Sequence, residues 1–472
     1  MGRGGRGGVT GVACEYSYNQ HVGCGQEMRR NKMAGEVDGI TRFFRACEPN
    51  ESLGPDDARY VDCDAVRGEN LVEVYERGFR RAAPERPEIK LFAGHRGVGK
   101  TSELLRLKRM LERPSSGQQR AFKVIYYDVS RSLDPNDLEF PDLLVCTAAE
   151  VQRQLREANI PGFDAATTYL AGVWDEIKRL LKSKVVLTGA EVEVPFATLA
   201  VELRNRPDAR RALREAIESQ STSLLGAVND LLQSAAVRLR GLGQEGLVLL
   251  IDGLDKLVLR PLEDGSNTHI RLFCDRAEQL TSLQAHAVYT VPISLIYSAR
   301  CAQLEQSFGE FNVPVAMIRV RGDDRSDATA ETAGMKKMQE MIEARCRYAK
   351  VKIGEVFEKA ETGQYLCRMT GGHPRHLMMF LQSAVNAVGG FPITQAAAEK
   401  AVRNYANSLV REIPDEMWDK LPRFFEPQDD IPKDEIHQQM LFLLHVFEYM
   451  NGRPWYEVNP VIRTLPRFSD RG

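Results

Sequence analysis

Short runs of apolar residues alternate with longer amphipathic stretches over the first two thirds of the chain. The apolar runs have the length of buried strands and cover residues 89–93, 122–129, 246–252, 291–299 and 313–320. Strands buried on both faces are typically continuous apolar runs, and helices between them are typical of parallel sheets. The pattern predicts an α/β fold in which a parallel sheet carries helices on both faces.

After residue 320 the strand pattern gives way to helical periodicity. Helices are predicted over residues 331–350, 353–369, 374–387, 394–411, 415–425 and 433–445. A hairpin follows, because residues 446–449 and 455–458 flank Asn451-Gly452, which is a signal for a two-residue turn. Three helices and a two-stranded hairpin favour a winged-helix module, with Trp455 and Tyr456 exposed on its wing.

These patterns divide the chain into segments. We expect a disordered or linker tail over residues 1–50, a sheet domain over 51–324, a helical lid over 325–390 and a winged-helix-like domain over 391–472. The sheet domain contains an insertion over about 158–244, in which a hairpin at 184–195 and a long helix at 208–239 are predicted. The insertion is interpreted as scaffold, and a role in binding a partner stays open.

Residues 94–101 carry the most informative motif of the chain. They read Gly-His-Arg-Gly-Val-Gly-Lys-Thr and match G-x-x-x-x-G-K-[ST], with an apolar strand before and an amphipathic helix after. Backbone N–H groups of such a loop close around a phosphate at a helix N-terminus. Lys100 can reach the β- and γ-phosphates, and the Thr101 hydroxyl can ligate Mg²⁺. The predicted nucleotide-binding residues of the loop are Gly94, Gly97, Gly99, Lys100, Thr101 and Ser102.

Two carboxylates belong to the same predicted site. Asp252 ends the apolar run at 246–252, where a triphosphate site needs a carboxylate that holds the metal ion. Asp255 follows three residues later and could orient and deprotonate an attacking water. The alternatives are a strand-end cap for Asp252 and a turn residue for Asp255.

Basic residues at two further places are candidates for phosphate contacts. Arg300 follows the run at 291–299, at the sheet edge where open α/β sheets bind ligands, and could sense the γ-phosphate or be an ordinary surface arginine. Pro374 suits the first turn of a helix after two glycines. His373, Arg375 and His376 would then cluster at that helix N-terminus and face an anion.

Composition and charge limit the classes of function. The chain has 472 residues with a net charge of −2, and its nine cysteines include no C-x-x-C pair, which argues against a zinc site or a disulfide framework and fits the cytoplasm. No apolar run is long enough to span a membrane. Residues 394–472 contain ten Lys and Arg against thirteen Asp and Glu, and none of the basic residues lies between Lys433 and Arg453. Because phosphate attraction dominates DNA affinity, a protein contact is favoured over DNA.

These motifs together resemble a known group. A G-x-x-x-x-G-K-T loop, a strand ending in Asp-Gly-Leu-Asp, a strand ending in Ser-x-Arg and a helical lid carrying Gly-x-Pro look like the STAND and NACHT-type ATPases of the AAA+ superclass. Residues 372–375 are similar to the second sensor of AAA+ proteins, which include origin-recognition initiator ATPases. The resemblance covers about residues 55–390 and extends to the terminal winged helix.

The resemblance implies roles for individual residues. Lys100 and Thr101 would bind phosphate and Mg²⁺, Asp252 would ligate Mg²⁺, and Pro374 would pack near the adenine, with Arg375 as the second sensor. Residues 57–62 and 67–70 lie where such ATPases place adenine contacts, although a plain linker is the alternative. Related ATPases often carry an acidic residue where this chain has Gly253 or Lys256, so slow hydrolysis is expected.

The leading hypothesis is a cytoplasmic molecular switch that binds ATP and Mg²⁺, hydrolyses ATP slowly and acts on an unidentified protein partner. ATP-dependent homo-oligomers are expected from the resemblance. Two alternatives remain: a DNA-binding loader or initiator that uses the winged helix, and a signalling scaffold that binds nucleotide without turnover.

Overall fold

The computed structural model of the protein describes residues 38–115, 117, 119–161, 210–211, 214–215, 221–309 and 314–469. The predictions for the first 37 residues and for the hairpin at 184–195 lie outside these ranges. The helix predicted at 208–239 is described as a continuous helix over Ser221–Gly241.

A parallel four-stranded sheet forms the centre of the first domain. Its strands are β1 Ile89–Gly94, β2 Lys123–Asp128, β3 Leu247–Asp252 and β4 His286–Pro292, in the spatial order β1-β4-β3-β2. Successive side chains of a strand point to opposite faces. Leu249 and Ile251 of β3 accordingly enter one hydrophobic core, and Val248 and Leu250 enter another. The predicted fold, a parallel sheet covered on both faces, is confirmed.

Helices cover both faces and continue into the C-terminal part. Up to residue 309 they are α1 Gly39–Ala46, α2 Leu71–Arg81, α3 Lys100–Glu112, α4 Val129–Ser132, α5 Phe140–Glu157, α6 Ser221–Gly241, α7 Thr268–Phe273, α8 Ala277–Thr281, α9 Ile293–Ile296 and α10 Cys301–Phe308. Beyond it they are α11 Ala333–Ala349, α12 Ile353–Val356, α13 Ala360–Met369, α14 Pro374–Val388, α15 Gln395–Glu412, α16 Asp415–Trp418, α17 Glu435–Phe442 and α18 Pro466–Ser469. Short 3₁₀ helices cover Asp64–Val66, Leu254–Lys256, Leu421–Phe424 and Ile462–Thr464.

Two of the predicted strands differ in the structure. The run at 291–299 is not a strand, because β4 ends at Pro292 and the short helix α9 follows at once. Proline has no N–H for the strand ladder and its fixed φ suits the residue before a helix. The run at 313–320 has a single parallel bridge to the sheet, between Val315 and Gly94. Its next backbone N–H groups go elsewhere, from Met317 to Glu448 O and from Arg319 to Val66 O.

The predicted disordered or linker tail over residues 1–50 contains the helix α1. Asp38 caps this helix, since its carboxylate accepts a hydrogen bond from Thr41 N at 2.7 Å. Phe43 of α1 and Cys47, the residue after this helix, are buried against the helices of residues 333–388, the segment predicted to be a lid. An amphipathic segment of eight residues with an N-cap is therefore helical, although low-complexity sequence precedes it.

The C-terminal segment packs as one body with the lid. Leu377 of α14, Ala401 of α15 and Met440 of α17 belong to a single hydrophobic core that runs across the predicted boundary at residue 391. Near the end of the described chain lies the antiparallel hairpin β5 Val446–Asn451 and β6 Arg453–Val458. We call this pair of strands the C-terminal hairpin.

The C-terminal hairpin is not an exposed wing. Trp455 and Tyr456 are only 1% and 3% exposed, so the prediction of exposed wing aromatics is wrong. Phe447, Tyr449 and Trp455 pack into the same core as Val98 and Leu104, which belong to the loop and helix after β1. Burying these three aromatic rings stabilises the hairpin against the sheet domain, since each ring removes a large apolar area from water.

Candidate nucleotide site

The loop between β1 and α3 has the backbone that phosphate binding requires. Gly97 and Gly99 have φ values of 81° and 109°, which favour glycine. A Cβ at residue 97 would lie 2.8 Å from Cε1 of His373, so the loop also needs glycine for its close approach to the lid. Gly99 precedes α3 without a side-chain cap, which leaves the N–H groups of the first turn for a ligand.

Lys100 folds back over this loop. Its Nζ donates hydrogen bonds to the carbonyl oxygens of Gly94 and His95, at 2.7 and 2.8 Å. It also lies 2.8 Å from Oδ2 of Asp255, in the 3₁₀ helix that follows β3. Both side chains of this ion pair are nearly buried. The structure therefore brings two of the predicted residues, Lys100 and Asp255, into direct contact.

Thr101 and Asp252 meet at the carboxyl end of β3. The Thr101 hydroxyl donates to Oδ2 of Asp252 at 2.6 Å, and the Tyr126 hydroxyl donates to the same oxygen at 3.1 Å. The Gly253 N–H donates to the other carboxylate oxygen at 2.7 Å. Burial raises the pKa of Asp252, and the charge of Asp255 raises it further. Strand β1, the glycine loop, α3 and the aspartate at the end of β3 thus have the arrangement that the P-loop motif predicts.

The environment of Asp252 fits a divalent cation. Its side chain is 1% exposed, and among the described residues no Lys, Arg or His forms an ion pair with it. A buried carboxylate whose partners are all neutral donors needs a positive charge nearby. Mg²⁺ is usually held by one or two protein oxygens together with phosphate oxygens and water. Thr101 and Asp252 are the side chains that would hold it, and within the described residues no group of three metal-ligating side chains offers an alternative site.

A cavity of about 690 Å³ opens beside these residues. It lies between the phosphate loop, the segment at residues 48–67 and the lid helices α11 and α14. Met341, Met378 and Pro374 contribute apolar lining on the lid side. The cavity thus joins a polar end that contains Lys100 to a less polar end, as a nucleotide with a charged and a planar part would require.

Arginines surround the polar part of the cavity. Arg375 donates from Nε to the Pro49 carbonyl at 3.3 Å, and burial lowers its pKa. Arg67 donates to the Val98 carbonyl at 2.5 Å and is 8% exposed, and its Nη1 lies 3.6 Å from Oε1 of Glu103. Among the described residues, neither Nε nor Nη1 of Arg67 has a hydrogen-bond partner. Residues 67–70 are predicted from the sequence only as a general adenine contact, because nothing in the local pattern distinguishes Arg67 from a linker residue. Ser102 accepts a hydrogen bond from Leu53 N at 3.2 Å and so ties the loop helix to the segment at 48–67.

Some of the predicted residues have other roles. Arg300 pairs with Asp275 at 2.7 Å and is not among the residues that line the cavity, because β4 ends eight residues earlier than Arg300. His373 and His376 are fully enclosed, and burial lowers the pKa of each, so they are neutral and do not form an anion site. His373 instead caps α14 and lies 2.8 Å from the Arg96 carbonyl through Nε2.

The phosphate loop is fastened to the C-terminal segment at His95. Its Nδ1 lies 3.0 Å from the carbonyl of Leu441 and its Nε2 accepts a hydrogen bond from Glu448 N at 2.8 Å. These partners require a proton on Nδ1 and none on Nε2, so the imidazole is neutral. Burial lowers the pKa of His95 to about 3, in agreement with that state. Arg96 adds a contact over the ring of Phe442, at 6.0 Å from its centroid.

Comparison with known proteins gives structural similarity alone. No family model and no curated protein matches the chain. A Drosophila ORC structure bound to DNA has 11% identity and a TM-score of 0.39, with 96% of each chain covered. The Aeropyrum pernix ORC2 protein has 10% identity and a TM-score of 0.42, with 90% of this chain and 97% of that chain covered. A Walker-type ATPase of Pyrococcus abyssi has 11% identity and a TM-score of 0.37, with 86% and 99% covered. None of the described helices has the length and hydropathy that crossing a membrane requires.

Proposed function

We propose that this chain is a molecular switch that binds ATP with Mg²⁺, hydrolyses it slowly and controls a protein partner or assembly. The observation that carries the proposal is the pair of contacts made by His95, which connects the phosphate loop to the C-terminal segment on both ring nitrogens. A ligand that rearranges this loop acts on the same residue. If the ligand binds one arrangement of the loop more tightly than another, binding favours that arrangement. The C-terminal segment then takes the position that goes with it.

The ligand assignment is supported by the charges around the cavity. Lys100 is available for the β- and γ-phosphates once it leaves Asp255, and Arg375 and Arg67 line the same cavity. Asp252 and Thr101 would hold Mg²⁺, which neutralises phosphate charge when bound. These cationic and metal-binding groups favour a polyphosphate over a neutral or singly charged ligand.

Hydrolysis would use Asp255. A triphosphate that attracts the Lys100 ammonium frees this carboxylate, which is then placed to orient a water and accept its proton. We expect slow turnover because the residue after Asp255 is Lys256, a cation, where a second carboxylate would strengthen the base. A slow reaction suits a switch, since the bound state then persists until hydrolysis resets it.

The output of the switch is proposed to reach protein rather than DNA. Residues 394–472 carry more acidic than basic residues, and the C-terminal hairpin is buried against the sheet domain. A duplex-binding wing needs exposed basic side chains. The DNA-binding loader remains the second hypothesis, and homo-oligomers are proposed from the family resemblance alone.

Nucleotide titration combined with hydrogen exchange tests the proposal. Purified full-length chain is titrated with ATP and Mg²⁺ by calorimetry, and amide exchange of residues 446–458 is compared with and without nucleotide. We expect binding together with a change of exchange in the C-terminal hairpin. Binding without any change there would leave a nucleotide-binding protein but contradict the switch.

A further inference from the structure

Lys256 is a second lysine at the phosphate end of the cavity. It lines the cavity together with Lys100, and its side chain is 33% exposed. It directly follows Asp255, which contacts Lys100 at 2.8 Å. Lys100 thus contacts the Asp255 carboxylate from the phosphate loop, and Lys256 is the next residue after Asp255 in the 3₁₀ helix Leu254–Lys256.

The present partners of Lys256 lie at the end of β2. Its Nζ donates to Oδ2 of Asp128 and to the Ser130 hydroxyl, each at 2.9 Å. Asp128 is the register partner of Asp252, so three carboxylates, Asp128, Asp252 and Asp255, lie at one edge of the sheet. A bound triphosphate would add further negative charge there, and the position of Lys256 is suited to compensate it.

Asp128 keeps its hydrogen bonds at one carboxylate oxygen without Lys256, which donates to the other oxygen. Its Oδ1 accepts from Ser130 N at 3.0 Å and from the Ser130 hydroxyl at 2.6 Å, in the cap of α4. Arg131 also lies 3.6 Å from Oδ2. If Lys256 turns away, Asp128 keeps these partners and stays partly exposed to water. Moving the Lys256 ammonium from Asp128 to another anion therefore costs little free energy.

We propose that Lys256 leaves Asp128 when a triphosphate binds and contacts the terminal phosphate, so that it distinguishes a nucleoside triphosphate from a diphosphate. This inference rests on the proposed nucleotide binding. Asp128 is then a competitor for the lysine, and the strength of the Asp128–Lys256 pair sets how strongly the terminal phosphate is preferred.

Affinities for ATP and ADP, measured by calorimetry with Mg²⁺, test the assignment. In Lys256→Gln we expect ATP affinity to fall by about tenfold or more, the value of one charge-assisted hydrogen bond, while ADP affinity changes by less than about threefold. Lys256→Arg should restore much of the preference. Asp128→Asn keeps the cap of α4, because asparagine is an equally good cap, and should increase the preference for ATP.

Lys256→Gln and Asp128→Asn are expected to change the preference for ATP in opposite directions, and this distinguishes the proposed role from a structural one. If Lys256 only fastens the turn after β3 to β2, Lys256→Gln and Asp128→Asn break the same ion pair and should change both affinities in the same direction, which would overturn the proposal. Arg131→Gln is the matched control, because it removes the same charge beside the same carboxylate from an exposed side chain. An equal loss of ATP affinity in Arg131→Gln would also overturn the proposal, since it would show that any positive charge near this carboxylate has the same effect. If the unmodified chain binds neither nucleotide, the proposed function itself fails.

Discussion

The backbone N–H of Glu448 donates a hydrogen bond of 2.8 Å to Nε2 of His95, and so joins the hairpin near the C-terminus to the loop that follows β1. Phe447, the preceding residue, extends the contact, because its ring lies 5.8 Å from that of His95 and 6.0 Å from that of His373 in the lid. The loop therefore contacts both the lid and the C-terminal hairpin, so a change in the loop conformation affects both. The predictions below follow from this arrangement and from the carboxylates beside it.

Replacing Lys100 with alanine should abolish ATP binding and leave the chain folded. The side chain supplies the positive charge expected at the β- and γ-phosphates, whereas its own contacts are to two loop carbonyls and Asp255. Calorimetric titration measures the loss, and circular dichroism checks the fold. Lys108→Ala, on the same helix and paired with Glu112, is the matched control and should bind normally. Unchanged affinity in Lys100→Ala would refute the site.

Variants of Asp252, the last residue of β3, and of Asp255 should distinguish metal binding from hydrolysis. Asp252→Asn should lose the dependence of nucleotide binding on Mg²⁺, because its carboxylate has no cationic partner among the described side chains. Asp255→Asn should keep ATP bound and lose hydrolysis by about 10²–10⁴-fold, the usual contribution of a general base. Phosphate release in single-turnover experiments gives the rate. A wild-type rate in Asp255→Asn would place the base elsewhere.

Removing the imidazole of His95 should uncouple the loop from the C-terminal hairpin. His95→Ala deletes both connecting hydrogen bonds and leaves buried partners without one, which should lower the free energy of unfolding by about 1–3 kcal/mol. Amide exchange at Glu448 should become faster, and ATP should no longer alter it. Glu435→Ala on the exposed side of α17 is a control that should leave this response intact. A normal response in His95→Ala would contradict the role of this contact.

Stability should fall as the solution is acidified below pH 6.5. Burial lowers the pKa of several histidines below the ordinary value of 6.5, to about 3 for His95 and His376 and to about 4 for His269, His286 and His445. Between pH 6.5 and about 4 the unfolded chain binds protons at these rings and the folded chain does not. For each ring, the free energy of unfolding then falls by about 1.4 kcal/mol per pH unit of acidification.

Glu448 should oppose this trend in part. Burial raises the pKa of its carboxyl from 4.5 to about 7, so between these values the folded chain holds a proton that the unfolded chain releases. Its contribution to stability is present below pH 4.5 and is lost as the pH rises through 7. Urea unfolding at pH 7.5, 6.5 and 5.5 should show a net loss on acidification, and Glu448→Gln should steepen it. Constant stability over this range would contradict the neutral histidines.

The full-length chain should not bind duplex DNA at physiological salt. Its C-terminal part is acidic on balance, and the C-terminal hairpin packs against the sheet domain. An electrophoretic shift or fluorescence polarisation with a labelled duplex measures this. Submicromolar binding that weakens steeply with salt would instead support the loader hypothesis, because such a dependence reports released counterions.

Local sequence predicted the parallel sheet and the phosphate loop because both have local causes. The strands at Lys123–Asp128 and Leu247–Asp252 are continuous apolar runs, and the loop is a fixed pattern of glycines and polar side chains between a strand and a helix. The prediction failed at 291–299, where apolar composition is equally compatible with a strand and with a buried short helix. Pro292 was the available signal for that boundary.

The site residues that sequence reasoning missed depend on tertiary contacts. His95 and Glu448 are separated by 353 positions, and no periodicity links them. The hairpin sequence alone does not show whether Trp455 is exposed, because its burial depends on the surface against which the hairpin packs. Arg67 similarly gains its relevance only because the segment at 48–67 folds over Val98.

The packing of the C-terminal hairpin has a consequence for how the protein is made. Synthesis proceeds from the N-terminus, so the phosphate loop leaves the ribosome some three hundred and fifty residues before Glu448, its hydrogen-bond partner. Until then Val98 and Leu104 lack the aromatic rings that cover them in the finished molecule. A nascent or truncated chain would carry the complete loop sequence with an unfinished candidate nucleotide site, and the two hairpin strands, translated later, would complete it.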